Sequence, residues 1–201
     1  MSKIVFTIGR EFGSGGREIA LSLAEKLGIE CYDSRLIDMA SERGGLDADE
    51  LREADEKKGS FWFYSVPIDE NHLSVYDRPM NEVLFNLQSS IILELASMDS
   101  CIIVGRCGDY VLQNKPGVYS IFIYSSMENR LKRVMKKFLL NEKEAESVIK
   151  KTSKERDSYY KKFTKRERSD KNNYHLMVDS GKLGVERTIS LLENFYHLVS
   201  K

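Results

Sequence analysis

Cysteine is scarce in this sequence. Cys31, Cys101 and Cys107 are an odd number without metal-like spacing, which leaves neither a disulfide framework nor a cysteine-rich metal site to organise the chain. Long apolar runs are missing as well: none approaches the roughly 20 residues that span a bilayer, so no membrane role is expected. No apolar signal-like segment opens the sequence, and the expected setting is the reducing cytoplasm. Internal repeats and low-complexity tracts are absent, which sets aside solenoids and arrays. Net charge is lacking too, because 31 Lys and Arg offset 31 Asp and Glu. That balance speaks against a general nucleic-acid binder. It conceals local asymmetry: residues 42–56 are rich in acids, Arg130, Lys132, Arg133, Lys136 and Lys137 fall together with no acid between them, and a second basic stretch runs from Lys150 to Arg168.

What is present is concentrated in residues 4–20, Ile-Val-Phe-Thr-Ile-Gly-Arg-Glu-Phe-Gly-Ser-Gly-Gly-Arg-Glu-Ile-Ala. Ile4, Val5, Phe6 and Ile8 form a short β-branched-rich run suited to a strand buried on both faces of a parallel sheet. Ile19, Ala20, Leu23, Ala24 and Leu27 recur at helical spacing, and Gly28 stops that helix. Between them Gly13, Gly15 and Gly16 let the backbone take left-handed conformations and aim successive N–H groups at one anion beside the positive end of a helix. A plainer reading remains, in which the glycines only permit close strand-to-helix packing. The loop departs from G-x-x-x-x-G-K-[ST]: the last pair is Gly16-Arg17 or Arg17-Glu18, and Arg10 or Glu11 stands where the first Gly belongs.

The 201 residues are enough for one α/β domain with a substantial core. Short strands are expected at 29–32, 101–104, 118–123 and 176–178. Helices are expected after Asp33-Ser34, which can cap, over 80–97, from about Met127, over 141–163 with an interruption near Thr152-Ser153, and over 184–199. Alternating strands and helices imply βα units around a parallel sheet, with ligands at the carboxyl ends of its strands. Arg106 follows Gly105 at such an end, and an arginine there can grip phosphate with two parallel hydrogen bonds. Arg130 and Arg133 share a helix face, and Arg156 lies on the next basic helix, beyond a polar turn at Asn141. The aromatic tract within 59–80 is read as a cover over a cleft, a subunit contact giving a homo-oligomer, or part of the core.

Taken in order, Gly-Ser-Gly-Gly-Arg-Glu-Ile-Ala, Tyr32-Asp33, Val104-Gly105-Arg106, the run Ser125 to Arg133, Glu155-Arg156-Asp157 and Val178 to Leu183 resemble the cytidylate kinase-like proteins over nearly the whole chain. The resemblance implies a three-layer α/β P-loop NTPase fold of the nucleoside monophosphate kinase type, with a central parallel five-stranded sheet. One domain would cover 1–201, with an acceptor-binding insertion at 35–80 and a lid at 130–168. It implies ATP with Mg²⁺, and a nucleotide or other small acceptor. Gly13, Ser14, Gly15, Gly16 and Arg17 would hold the β and γ phosphates, with Arg17 standing in for the usual Lys. Asp33 and Ser34 would lie near the acceptor nucleoside, and Arg106 would grip the acceptor phosphate. Arg130, Arg133 and Arg156 resemble lid arginines that neutralise the transferred group, and Asp179, Ser180, Gly181 and Lys182 resemble the loop that passes the adenine ring.

The chain departs from authentic cytidylate kinases at the P-loop Lys and Ser/Thr, and at Met39, Tyr160 and Phe163, where those enzymes carry Arg, Asp and Arg. The metal ligand is left open among Glu18, Asp33 and Asp109, each of which can also be a cap or a solvated acid. An ATP-dependent phosphotransferase is the expected function. A nucleotide-binding regulator without turnover, and an RNA or polyanion module using the Arg130 to Arg168 region with Tyr159, Tyr160 and Phe163, stand as alternatives.

Overall fold

The computed structural model describes residues 3–45 and 80–200. Two compact units divide the chain: one formed by residues 1–33 and 92–201, the other by 34–91.

The first unit is built on a parallel sheet of β1 (Val5–Arg10), β2 (Glu30–Tyr32), β3 (Cys101–Val104), β4 (Val118–Tyr124) and β5 (Leu176–Asp179), in the order β2-β3-β1-β4-β5. Strand β1 is central because its residues are apolar in succession rather than alternation; Ile4, Val5, Phe6 and Ile8 are all buried. Helices α1 (Gly16–Leu27) and, near the C-terminus, α8 (Val185–Val199) supply Ile19, Leu23, Ile189 and Leu192 to the same core as Phe6, Ile102, Ile121 and Val178. Phe6 stacks on Phe195 with ring centroids 5.5 Å apart and meets Tyr119 and Tyr196 edge-on. Burying such a ring contributes about 1.5–3 kcal/mol.

The pairing of β1 sets the stage for the loop. Its ladder with β3 ends at Ile8 opposite Val104, whereas its ladder with β4 continues to Arg10 opposite Ile123. Arg10 therefore projects past the end of β3 on one side while still anchored on the other.

Helices α5 (Met127–Phe138) and α6 (Glu142–Thr164) form the hairpin expected around Asn141. Asn141 and Glu144 make a reciprocal capping box, and Val134, Ala145 and Ile149 bury a small core between the helices, against which Phe12 of the loop packs. The interruption expected near Thr152-Ser153 does not occur. Instead of competing for its own helix backbone, the Ser153 hydroxyl accepts a hydrogen bond from Arg130. Two short helices, α4 (Gly108–Val111) and α7 (Ser180–Leu183), were not expected from periodicity, which four residues are too few to display.

In the second unit, α2 (Arg35–Gly44) buries Leu36, Ile37 and Ala40, and α3 (Met80–Met98) begins here, with Leu84 and Ile91 buried. Ser34 opens α2 in helical geometry, φ −65° and ψ −25°, and makes no side-chain cap bond, contrary to expectation. Residues 46–79, which carry most of the expected insertion and of the aromatic tract, lie outside the described residues.

Candidate active site

The glycine loop is shaped by its own hydrogen bonds. Glu11 N–H donates to the Ile123 carbonyl at 3.0 Å, continuing the line of β4. The chain then turns so that the Ser14 hydroxyl donates back to the Glu11 carbonyl at 3.0 Å and accepts from Gly16 N–H at 3.3 Å. Gly13 and Gly15 have φ of 85° and 81°, a region that costs an L-residue about 1–2 kcal/mol. Close approach adds a second reason for both glycines. A Cβ on Gly13 would lie 3.1 Å from the Arg130 backbone oxygen, and one on Gly15 would lie 2.9 Å from Cζ of Arg133.

Beside the loop is a cavity of about 280 Å³. Gly13, Gly15, Gly16 and Arg17 line it from the loop, Arg10, Glu11, Phe12 and Glu18 from either side, and Arg133, Val134, Lys137, Phe138 and Arg156 from the α5–α6 hairpin. The first turn of α1 opens onto this space, so backbone N–H groups and the helix dipole favour an anion there. Of the residues singled out in the sequence, Gly13, Gly15, Gly16, Arg17, Arg133 and Arg156 are brought together in its wall.

The remaining site residues have other placements. Ser14 is buried and its hydroxyl is spent within the loop. Ser180 donates its hydroxyl to the Ser14 carbonyl, and Asp179 accepts from the N–H groups of Gly181 and Lys182 at 3.0 and 3.2 Å, capping α7. The Asp179 to Lys182 segment thus supports the loop from below and is not part of the cavity wall. Arg130 is buried, donating to the Phe12 carbonyl at 2.8 Å and pairing with Glu11 at 3.2 Å, so it fastens the hairpin to the loop. Arg17, largely exposed, is ion-paired with Asp33, and Arg133 with Glu18. Ser34 belongs to the second unit.

A half-buried group of arginines gathers around the end of β1. Arg156 and Arg168 both donate to the Arg10 carbonyl, at 3.3 and 2.9 Å. Burial first, then the charges of Arg156, Arg106 and Arg168, hold the Arg10 guanidinium well below the ordinary arginine range, opposed by Asp33. Arg156 is pushed down to about 10 by burial and then by Arg168, Arg106 and Arg130, with Asp157 opposing. Burial also lowers Arg106 and Arg130; Tyr159, Asp33 and Cys107 oppose it at the former, and Glu11 is the chief opposition at the latter. Arginines do not deprotonate in practice, so these shifts measure crowding of like charge in a poorly hydrated place. An anion relieves that crowding.

The sequence pattern alone assigns no site role to Arg10 or Arg168. Arg168 lies within the basic stretch but beyond the end of the helix that carries Arg156, and only the turn of the chain after Thr164 returns it. Arg10 carried a usable signal: a basic residue closing the strand, followed by paired glycines where a loop lysine would begin.

The carboxylates proposed for a metal are each engaged. Glu18 and Asp33 hold arginines, and Asp109 accepts a 2.5 Å hydrogen bond from the Tyr160 hydroxyl. Burial raises the pKa of Asp109, with that hydrogen bond opposing. Among the described residues no three His, Cys, Asp or Glu side chains converge as a metal cluster. No helix among them is long and apolar enough to cross a membrane.

Comparison with known proteins places these features in context. The sequence pattern of the cytidylate kinase-like family matches residues 5–182. No curated protein matches the chain significantly. Among solved structures, an uncharacterized protein from Eubacterium ventriosum ATCC 27560 is similar with a TM-score of 0.72 and 25% identity, covering 97% of this chain and 99% of that one. A shikimate kinase from Bacteroides thetaiotaomicron shares the fold with a TM-score of 0.57 and 13% identity over 98% of this chain and 99% of its own. The five-stranded parallel sheet flanked by helices is that of the P-loop kinases.

Proposed function

The chain belongs to the cytidylate kinase-like family, and from that premise we propose that it is an ATP-dependent phosphotransferase acting on a nucleotide or another small, phosphate-bearing acceptor. The observation that carries this reading is the cavity: a loop with left-handed glycines and a helix N-terminus on one side, and arginines from the facing hairpin on the other. Phosphoryl transfer asks a protein mainly for positioning and neutralisation of charge, and this cavity is equipped for both. In the proposed arrangement the N–H groups of residues 13–17 hold the β and γ phosphates. Arg156 and Arg133 face them across the cavity, and Arg106 receives the acceptor's anionic end. Glu18, on the cavity wall, is the carboxylate proposed to help hold Mg²⁺ on the triphosphate after exchanging its Arg133 partner; phosphate and water would supply the remaining ligands. When bound, the metal would neutralise charge on the transferred group.

Incubation of the purified protein with ATP, Mg²⁺ and a panel of nucleoside monophosphates, nucleosides and small hydroxyl compounds, read by mass spectrometry, tests the proposal. A phosphorylated product with at least one acceptor is expected. Absence of any product, together with absence of ATP binding by calorimetry, would overturn it. A second reading, nucleotide binding without turnover, draws on the carboxylate partners of Arg17 and Arg133; binding without consumption in the same experiment selects it. The cytoplasm remains the proposed setting, and a homo-oligomer formed through 59–80 remains a proposal for hydrodynamic measurement.

A further inference from the structure

A phosphate loop without its lysine needs another cation at the same place. Gly16 is the first residue of α1 and is buried. A side chain begun there would place its Cβ 2.6 Å from Cβ and 3.2 Å from Cγ of Arg10. Real Cβ atoms do not approach so closely, so a lysine at 16 and the arginine at 10 exclude one another. The other end of Arg10 shows the same fit: its guanidinium lies against Cα of Gly105, in the space a side chain there would need. The stem of Arg10 thus rests on the glycine that opens the loop's helix, and its charged head rests on the glycine that precedes Arg106. Backbone pairing makes this reach available, because β1 outlasts its ladder with β3 by two residues.

We infer that Arg10 is the cation of this phosphate loop, taking the place of the missing lysine from the strand side and spanning from the triphosphate cradle to the acceptor rim. It lines the cavity together with the loop glycines. Its carbonyl is clamped by Arg156 and Arg168, so the residue is held rather than free to swing to solvent. Asp33, the acid that acts on it, is ion-paired with Arg17. A planar guanidinium in this position can contact the γ phosphate and the incoming acceptor together, with two donors on each side. A lysine on α1 presents only one ammonium point. The inference rests on the nucleotide reading above and gives the altered loop a physical explanation: the charge has been moved to the opposite wall, and the two glycines are the space it requires.

The test is an exchange of position. ATP with Mg²⁺, and inorganic triphosphate alone, are titrated calorimetrically into the wild-type protein, Arg10→Met, Gly16→Lys and the double variant Arg10→Gly/Gly16→Lys, which removes the Arg10 Cβ that the Lys side chain would meet, with thermal melts as the folding control. The expected results are at least tenfold weaker binding of both ligands by Arg10→Met, impaired folding or binding in Gly16→Lys because the two side chains collide, and recovery of most of the lost affinity in the double variant. If Arg10→Met does not fold, Arg10→Gln is compared with Arg10→Lys, and only the lysine variant is expected to bind. Wild-type protein that binds neither ligand overturns the nucleotide reading itself. Wild-type protein that binds while Arg10→Met, or Arg10→Gln, binds within twofold overturns the assignment of Arg10 alone. A double variant no better than the charge-removing single variant overturns the exchange of place.

Discussion

Ser180 donates its hydroxyl to the carbonyl of Ser14 at 2.7 Å, and both residues are buried. The end of β5 is thereby bolted to the middle of the glycine loop, 166 residues earlier in the chain. This contact explains why Ser180 and Ser14 matter without facing a ligand: they fix the height of the cradle.

Ser180→Ala leaves the Ser14 carbonyl without this donor in a buried place, at a cost of about 1–3 kcal/mol. For a chain of this size that lowers Tm by about 2–4 °C per kcal/mol. Differential scanning calorimetry checks the loss, and ATP affinity is expected to fall with it because the loop loosens.

Gly15→Ala combines a left-handed φ of 81° with a Cβ only 2.9 Å from the Arg133 guanidinium carbon. The conformational cost alone is about 1–2 kcal/mol. Displacement of Arg133 from over the loop is expected to weaken nucleotide binding beyond what the stability loss explains, which fluorescence titration at 15 °C, well below the melt, separates from unfolding.

Arg156 and Arg17 should differ in importance although both line the cavity. Arg156 is half-buried, with its charge crowded by Arg168 and Arg106, whereas the Arg17 side chain is 61% exposed and paired with Asp33. Losing a charge-assisted hydrogen bond costs about 1.5–3 kcal/mol, so Arg156→Ala is expected to raise the ATP Kd by about 10–100-fold. Arg17→Ala, in an exposed pair worth at most about 1 kcal/mol, is expected to raise it by no more than about fivefold. Equal losses would contradict the ranking.

Asp109 gives a pH signature. Burial raises its pKa above the ordinary 3.8 in the folded protein, so the folded state binds more protons than the unfolded state just above that value. Stability from this group is then present below about pH 3.8 and declines as pH rises through the folded pKa. Asp109→Asn, which keeps an oxygen for the Tyr160 hydroxyl, is expected to be more stable than wild type at pH 7 and to converge on it near pH 3.8. Melting curves across that range measure the difference; a constant offset would refute the linkage.

Much of this arrangement was legible in the residues. The apolar succession at Ile4 to Ile8 marked the central strand, and the glycine spacing marked the loop that follows it. The family pattern pointed to Arg106, Arg130, Arg133 and Arg156 as site residues, and the parallel five-stranded sheet followed from it. What could not be read was partnership. Nothing local says that Arg17 turns to Asp33, that Arg130 is a clamp on Phe12 and Glu11, or that Arg168 returns to the Arg10 carbonyl. Such pairings depend on where the strand ends and helices meet, and long flexible side chains can satisfy many sequences of neighbours. Periodicity likewise overlooked the four-residue helices, and it placed a break in α6 that a tertiary bond from Arg130 to Ser153 removes.

The most direct measurement is a crystal structure of the protein with a non-hydrolysable ATP analogue and Mg²⁺. The β and γ phosphates are expected in the cavity, within hydrogen-bonding reach of the backbone N–H groups of residues 13–17, with the Arg10 and Arg156 guanidinium groups directed at the terminal phosphate. Phosphates bound instead along the exposed lysines of the α5–α6 hairpin, with the glycine loop empty, would contradict this expectation.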